Sequence, residues 1–117
     1  MSIKRIKCGD RMSQAVVHGG IVHTAGQVAQ NAKGGSVEDQ TKDILNAIDE
    51  LLAEAGTDKS KLLTATIWLS DISTFAQMNS VWDAWVSAGN TPTRACVESK
   101  LASPDFTVEI AVTAVAG

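Results

Sequence analysis

An α+β domain, with two helices on one face of a mixed sheet, is the fold class this sequence predicts. Three observations carry that expectation. Val37, Ile44, Leu45, Ile48, Leu51, Leu52 and Ala55 recur at helical spacing, and so do Phe75, Met78, Trp82 and Trp85. Short runs of β-forming and apolar residues precede, separate and follow these two stripes. No repeat, low-complexity stretch or linker interrupts them, and 117 residues suit a single domain spanning 1–117.

The elements follow in chain order. Ile3 to Lys7 alternates apolar and basic residues, as a short edge strand does. Gln14 to His18 and Ile21 to Thr24 flank Gly19-Gly20, a pair that supplies the positive φ a two-residue hairpin turn needs. Gly26, just after the second run, permits the close approach of a backbone or a ligand. Asn31 to Gly35 reads as a loop. Ser36 is placed to cap the first helix, with Glu38 and Asp39 favourable in its first turn and Gly56 ending it. Leu62 to Leu69 lacks clean alternation and reads as a central strand apolar on both sides. Ser73 or Thr74 is expected to cap the second helix, Ile72 to staple it, and Gly89-Asn90 to end it. Pro92 starts the next strand, and after a turn at Ala102 to Asp105 the last strand runs from Phe106 to Val115. These last two strands are expected to be adjacent and antiparallel. With only two helices, the second face of the sheet needs another subunit as its cover.

Composition narrows the function. A net charge of −3 and a pI of about 5.2 argue against a nucleic-acid partner, which requires a basic stripe. No apolar run approaches the roughly 20 residues that span a bilayer, so no membrane role is expected. Met1 to Arg5 lacks the apolar stretch of a secretion signal, so a cytoplasmic location and free thiols at Cys8 and Cys96 are expected. The two cysteines have no metal-binding spacing, and His18 and His23 lack a third ligand nearby, so they read as accessible strand residues.

The chemistry concentrates late in the chain. Successive strand residues alternate between faces, so Arg94, Cys96 and Glu98 share one face of their strand. In the last strand Val108, Ile110, Val112 and Ala114 form an apolar face, and Glu109 falls on the other. Charges inside apolar strands are costly unless paired or used. Arg94 and Glu109 therefore form either a structural ion pair or a site in which the arginine takes a planar anion and the glutamate handles a proton. Asn79, beside Met78 on the second helix, needs polar partners and reads as a cap or a ligand contact.

These residues, in this order, resemble the RidA family, also called YjgF/YER057c/UK114. The resemblance covers nearly the whole chain. It rests on Thr24-Ala25-Gly26-Gln27, on Gln40, on Leu69-Ser70-Asp71 with Phe75 and Met78-Asn79, on Pro92 to Glu98, and on Val108-Glu109-Ile110. It implies a chorismate-mutase-like fold of order β-β-β-α-β-α-β-β, a homotrimer with clefts between subunits, and no metal or cofactor. It also implies hydrolysis of reactive 2-imino or enamino acids to 2-oxo acids and ammonia. Arg94 matches the arginine that binds the substrate carboxylate, and Glu109 the glutamate that positions the attacking water. Cys96, Asn79 and Gly26 match pocket positions. Met12 stands where many members carry a tyrosine and Ala25 where many carry a serine, which shifts the pocket toward less polar substrates. A non-catalytic module binding small carboxylic acids is the alternative, and a ribonuclease or translation inhibitor fits less well.

Overall fold

The computed structural model describes residues 2–116, leaving Met1 and Gly117 outside. Six strands form one mixed sheet: β1 (Lys4–Ile6), β2 (Ala15–His18), β3 (Ile21–Thr24), β4 (Leu62–Leu69), β5 (Thr93–Glu98) and β6 (Val108–Val115). Helices α1 (Val37–Glu54) and α2 (Phe75–Trp85) pack on one face, with Ile44, Leu45, Ile48, Leu52, Met78 and Trp82 against Ile67, Val108, Ile110 and Val112. The expected fold class is correct. No described helix is long and apolar enough to cross a membrane.

The helix boundaries follow from local chemistry. Ser36 accepts the Asp39 N–H at 3.1 Å, as a capping residue should. Gly56, at φ 80°, closes α1 with the Thr57 N–H bonded to the Leu52 carbonyl. The start of α2 differs from expectation. Thr74 makes no side-chain capping bond, and Ile72 is 44% exposed, so no staple forms. A short 3-10 turn, Ile72–Thr74, leads into the helix instead, and Asp71 caps it by accepting from the Ser73 N–H. The helix also stops at Trp85 rather than at Gly89-Asn90, because Val86 turns to extended geometry.

Strand order is β1-β2-β3-β6-β4-β5, which corrects the expected pairing of the last two strands. β4 lies between them, parallel to β5 and antiparallel to β6. The return past β4 lets the long last strand bridge the hairpin to the rest of the sheet, and leaves β5 as an edge. A register shift between Leu62 and Thr64 explains the irregular pattern of β4. Beyond it the strand alternates, with Ala65, Ile67 and Leu69 buried and Thr66 and Trp68 half-buried on the other face. The strand is therefore not apolar on both sides: its second face carries Thr64, Thr66 and Trp68. That face remains uncovered in the single chain, with Val97 46% and Val115 38% exposed.

Candidate functional site

Arg94 and Glu109 build two separate clusters. Arg94 is paired with Ala65 of β4, on the face that carries the helices. Its guanidinium carbon lies 5.5 Å from the Phe75 ring centre and 5.4 Å from that of Trp82. Its Nη1 donates to Asn79 Oδ1 at 2.7 Å. Phe75, Asn79 and Trp82 stand at i, i+4 and i+7, so one face of α2 supplies two rings and an amide between them. A guanidinium held by rings and an amide is fixed in plane, and its other donors stay available to a carboxylate. The expected core packing of the α2 stripe holds for Met78 and Trp82, whereas Phe75 is 40% exposed beside Arg94. Reading the stripe as core missed this role; the signal was the amide flanked by aromatics at helical spacing.

Cys96, two residues along β5, is half-buried on the same face. Burial pushes its thiol up, against a smaller opposing pull from Arg94. A neutral thiol suits a wall of the site better than a nucleophile. Glu98, next on that face, accepts the Ile72 N–H at 3.0 Å and ties β5 to the turn that leads into α2.

Glu109 sits on the opposite face, with Trp68 as its partner on β4. Its position is set by an irregularity in the pairing of β3 with β6. His23 opposes Thr113 and Gln27 bridges Ile110, so Thr24, Ala25 and Gly26 face only Ala111 and Val112. Thr24 Oγ1 accepts the Val112 N–H at 3.0 Å, satisfying the donor that the bulge leaves over. The bulge presses Gly26 against the Glu109 side chain. A Cβ on Gly26 would lie 2.9 Å from Glu109 Cδ and overlap Oε2. The glycine's close approach is thus to the carboxylate itself.

A cavity of about 430 Å³ opens beside Glu109, lined among others by Met12, Gln14, Gly26 and Gln27. Gln27 donates to Gln14 Oε1 at 2.9 Å and to the Ala25 carbonyl at 3.2 Å, which fixes this wall. Ala25, next to Gly26 but not on this wall, donates its N–H to the Gln14 carbonyl at 2.8 Å. Burial alone pushes the Glu109 carboxyl above its ordinary value. Met12, Gly26 and Glu109 are therefore gathered as expected, while Arg94, Asn79 and Cys96 lie on the far side of the sheet. The structural ion pair is excluded: Arg94 and Glu109 face away from each other, one strand apart and three residues out of register. Gln14 and Gln27 were not singled out from sequence as lining this cavity.

The remaining positions are structural. Gln40 is fully buried, donating to the Gly35 and Asp105 carbonyls and accepting the Thr107 N–H, so it pins two loops together. His18 and His23 are exposed, as expected. Among the described residues no cluster of His, Cys, Asp or Glu could hold a metal ion.

Comparisons with known proteins agree with this architecture. A family model described as Endoribonuclease L-PSP matches residues 2–116. A RutC family protein from Haemophilus influenzae is 43% identical over 114 residues, covering 97% of this chain and 98% of that protein. The RutC family protein YoaB from Escherichia coli is 41% identical over 114 residues, covering 97% of this chain and 98% of its own length. A crystal structure of a YjgF-family protein from Neisseria meningitidis superposes with a TM-score of 0.96 at 46% identity, covering 100% of this chain and 97% of that one. A solved Rid-family protein from Yersinia pestis reaches 0.87 at 29% identity, covering 97% and 99%. With a family match over nearly its full length and the same fold in related structures, the chain belongs to the RidA/YjgF/RutC family.

Proposed function

We propose that the protein hydrolyses reactive 2-imino and enamino acids to 2-oxo acids and ammonia, without a metal or cofactor. The observation that carries this reading is the held guanidinium of Arg94, bonded to Asn79 and flanked by two rings, with donors left for a planar carboxylate. Glu109, whose carboxyl is raised by burial, supplies the second role. It takes a proton from water as the water oxygen bonds to the imine carbon. Returning that proton to nitrogen gives a carbinolamine; transfer of its hydroxyl proton to nitrogen then lets the C–N bond break as the carbonyl forms, so ammonia leaves and the oxo acid remains. Cys96 walls the carboxylate side, and Met12 and Gly26 wall the side near Glu109, with Ala25 next to Gly26.

Because the two roles lie on opposite sheet faces, one chain cannot present both to one small substrate. The cleft is therefore formed between two copies, one giving Arg94 and the other Glu109, in a homotrimer whose subunits cover the open sheet face. This separation also favours a second reading, a module that binds small carboxylic acids through Arg94 alone. The endoribonuclease description of the family draws less support, since both histidines are exposed and the chain is acidic.

Subunit complementation tests the composite cleft. Arg94→Ala and Glu109→Gln chains, each inactive alone, are unfolded together in equal amounts and refolded. In a closed ring, random assembly gives about a quarter of the clefts both intact residues, and hydrolysis should recover to about that share. Failure to recover activity in verified mixed trimers would overturn the two-copy site. Oxo-acid binding with no hydrolysis of any imine would favour the binding module.

A further inference from the structure

The cavity beside Glu109 contains a cation that the proposed chemistry does not use. Lys7 lines it together with Met12 and Gln14, and lines a second opening of about 500 Å³ with Arg11 and Asp10. Lys7 is also the one non-glycine residue with positive φ, 49°, among those described. That backbone conformation is uncommon for a long side chain and persists where surrounding structure imposes it. Here the imposed turn ends β1 at Ile6, and the Gln14 N–H returns to the Ile6 carbonyl at 3.0 Å. The loop between them, residues 7–14, brings Lys7, Met12 and Gln14 to the same wall.

Lys7 and Glu109 line the same cavity. The rest of the wall is mostly neutral, with Gln27, Val28 and Phe106 among its members and Glu50 on α1 as the opposing charge. This space adjoins Glu109, and Lys7 is the one Lys or Arg among its lining residues.

We propose that Lys7 is a specificity-determining residue that selects imino acids carrying a second carboxylate at the end of the side chain. The inference rests on the deaminase reading and names its substrate class. A charged hydrogen bond at this partly open position is expected to favour the acid over its neutral counterpart by about tenfold. Glu50 opposes that preference and Arg11, at the neighbouring opening, adds to it.

The imines of glutamate and glutamine test this, since they differ by a terminal carboxylate against an amide. They are generated in situ by an amino-acid oxidase, and hydrolysis is read by competition with semicarbazide. The wild-type protein should show about tenfold higher kcat/KM for the glutamate-derived imine. In Lys7→Met the ratio should fall to about one, in Lys7→Glu it should invert, and in Glu50→Gln it should rise. Calorimetric binding of 2-oxoglutarate against its terminal amide reads the same selectivity without turnover. If no imine is hydrolysed, the deaminase reading fails, and the binding ratio still decides on Lys7. Equal efficiencies and affinities for acid and amide in the wild type, or a preference that survives Lys7→Met, would overturn the proposal.

Discussion

Substituting Gly26 separates the position of Glu109 from the stability of the fold. The backbone at Gly26 does not require glycine, since its φ is outside the left-handed range, so Ala adds no conformational strain. What the new methyl meets is the Glu109 side chain: Oε2 inside van der Waals range, Cδ at 2.9 Å and Cγ at 3.2 Å. Comfortable carbon contacts begin near 3.5 Å, so the carboxylate must retreat by about 1 Å or more. It is the end of a flexible, half-buried chain and can swing away cheaply. Gly26→Ala should therefore melt close to the wild-type temperature. Activity should suffer far more, because a misplacement of about 1 Å at the reacting centre costs on the order of 100-fold. The assay is imine hydrolysis competed by semicarbazide, with melting followed in parallel. The double variant should be no slower than Glu109→Gln alone, since both substitutions disable the same group. A Gly26→Ala protein with wild-type turnover would show that the observed placement of Glu109 is not the catalytic one.

Two further variants bear on the same chemistry. Glu109→Gln should lower turnover by roughly 100- to 10,000-fold while leaving oxo-acid binding nearly intact, and unchanged turnover would remove Glu109 from the mechanism. Its stability should move the other way. A carboxyl raised by burial contributes stability below its ordinary titration range and loses that contribution as pH rises through the folded-state value. The glutamine variant should thus melt at or slightly above wild type at pH 7, with the advantage disappearing on acidification; a neutral-pH loss of stability would contradict the desolvation argument. Arg94→Lys should retain the fold but lose roughly 10- to 150-fold in kcat/KM, because an ammonium cannot make the two parallel bonds that orient a carboxylate. Wild-type efficiency together with a lowered melting temperature would reassign Arg94 to a structural role.

Apolar spacing was enough for the two helices, because it reflects burial directly, and together with glycine and proline signals it located all six strands. The Glu109 face was legible for the same reason: it alternates with Val108 and Ile110, both fully buried. The strand order was not, since nothing local in Thr93–Glu98 or Val108–Val115 encodes which strand enters between them. The register shift at Leu62/Thr64 also hid a regular alternation and made the second face of β4 look more apolar than it is. Caps written in a single residue, the Ser36 hydroxyl and the positive φ of Gly56, were legible. The start of α2 differs because Asp71, four residues before Phe75, caps a preceding 3-10 turn. Arg94 was recognisable as an unexplained charge, whereas its setting depends on α2 lying over β5, a tertiary fact.

Separation of the two clusters has a thermodynamic logic. An arginine and a buried carboxylate held together in a single chain would pair, and each would satisfy the other before a substrate arrived. Pairing would also pull the Glu109 carboxyl down, whereas burial without a cationic neighbour pushes it up. Placing Arg94 among Phe75, Asn79 and Trp82 on one face, and Glu109 against Gly26 on the other, keeps each group in the state its proposed role demands. Fixing each cluster within the fold of its own chain leaves little to be ordered when copies meet. In the proposed two-copy cleft, association would set their spacing through the geometry of the interface. On this account interface substitutions far from both residues should alter catalysis through that spacing, with the melting behaviour of the subunit fold left intact.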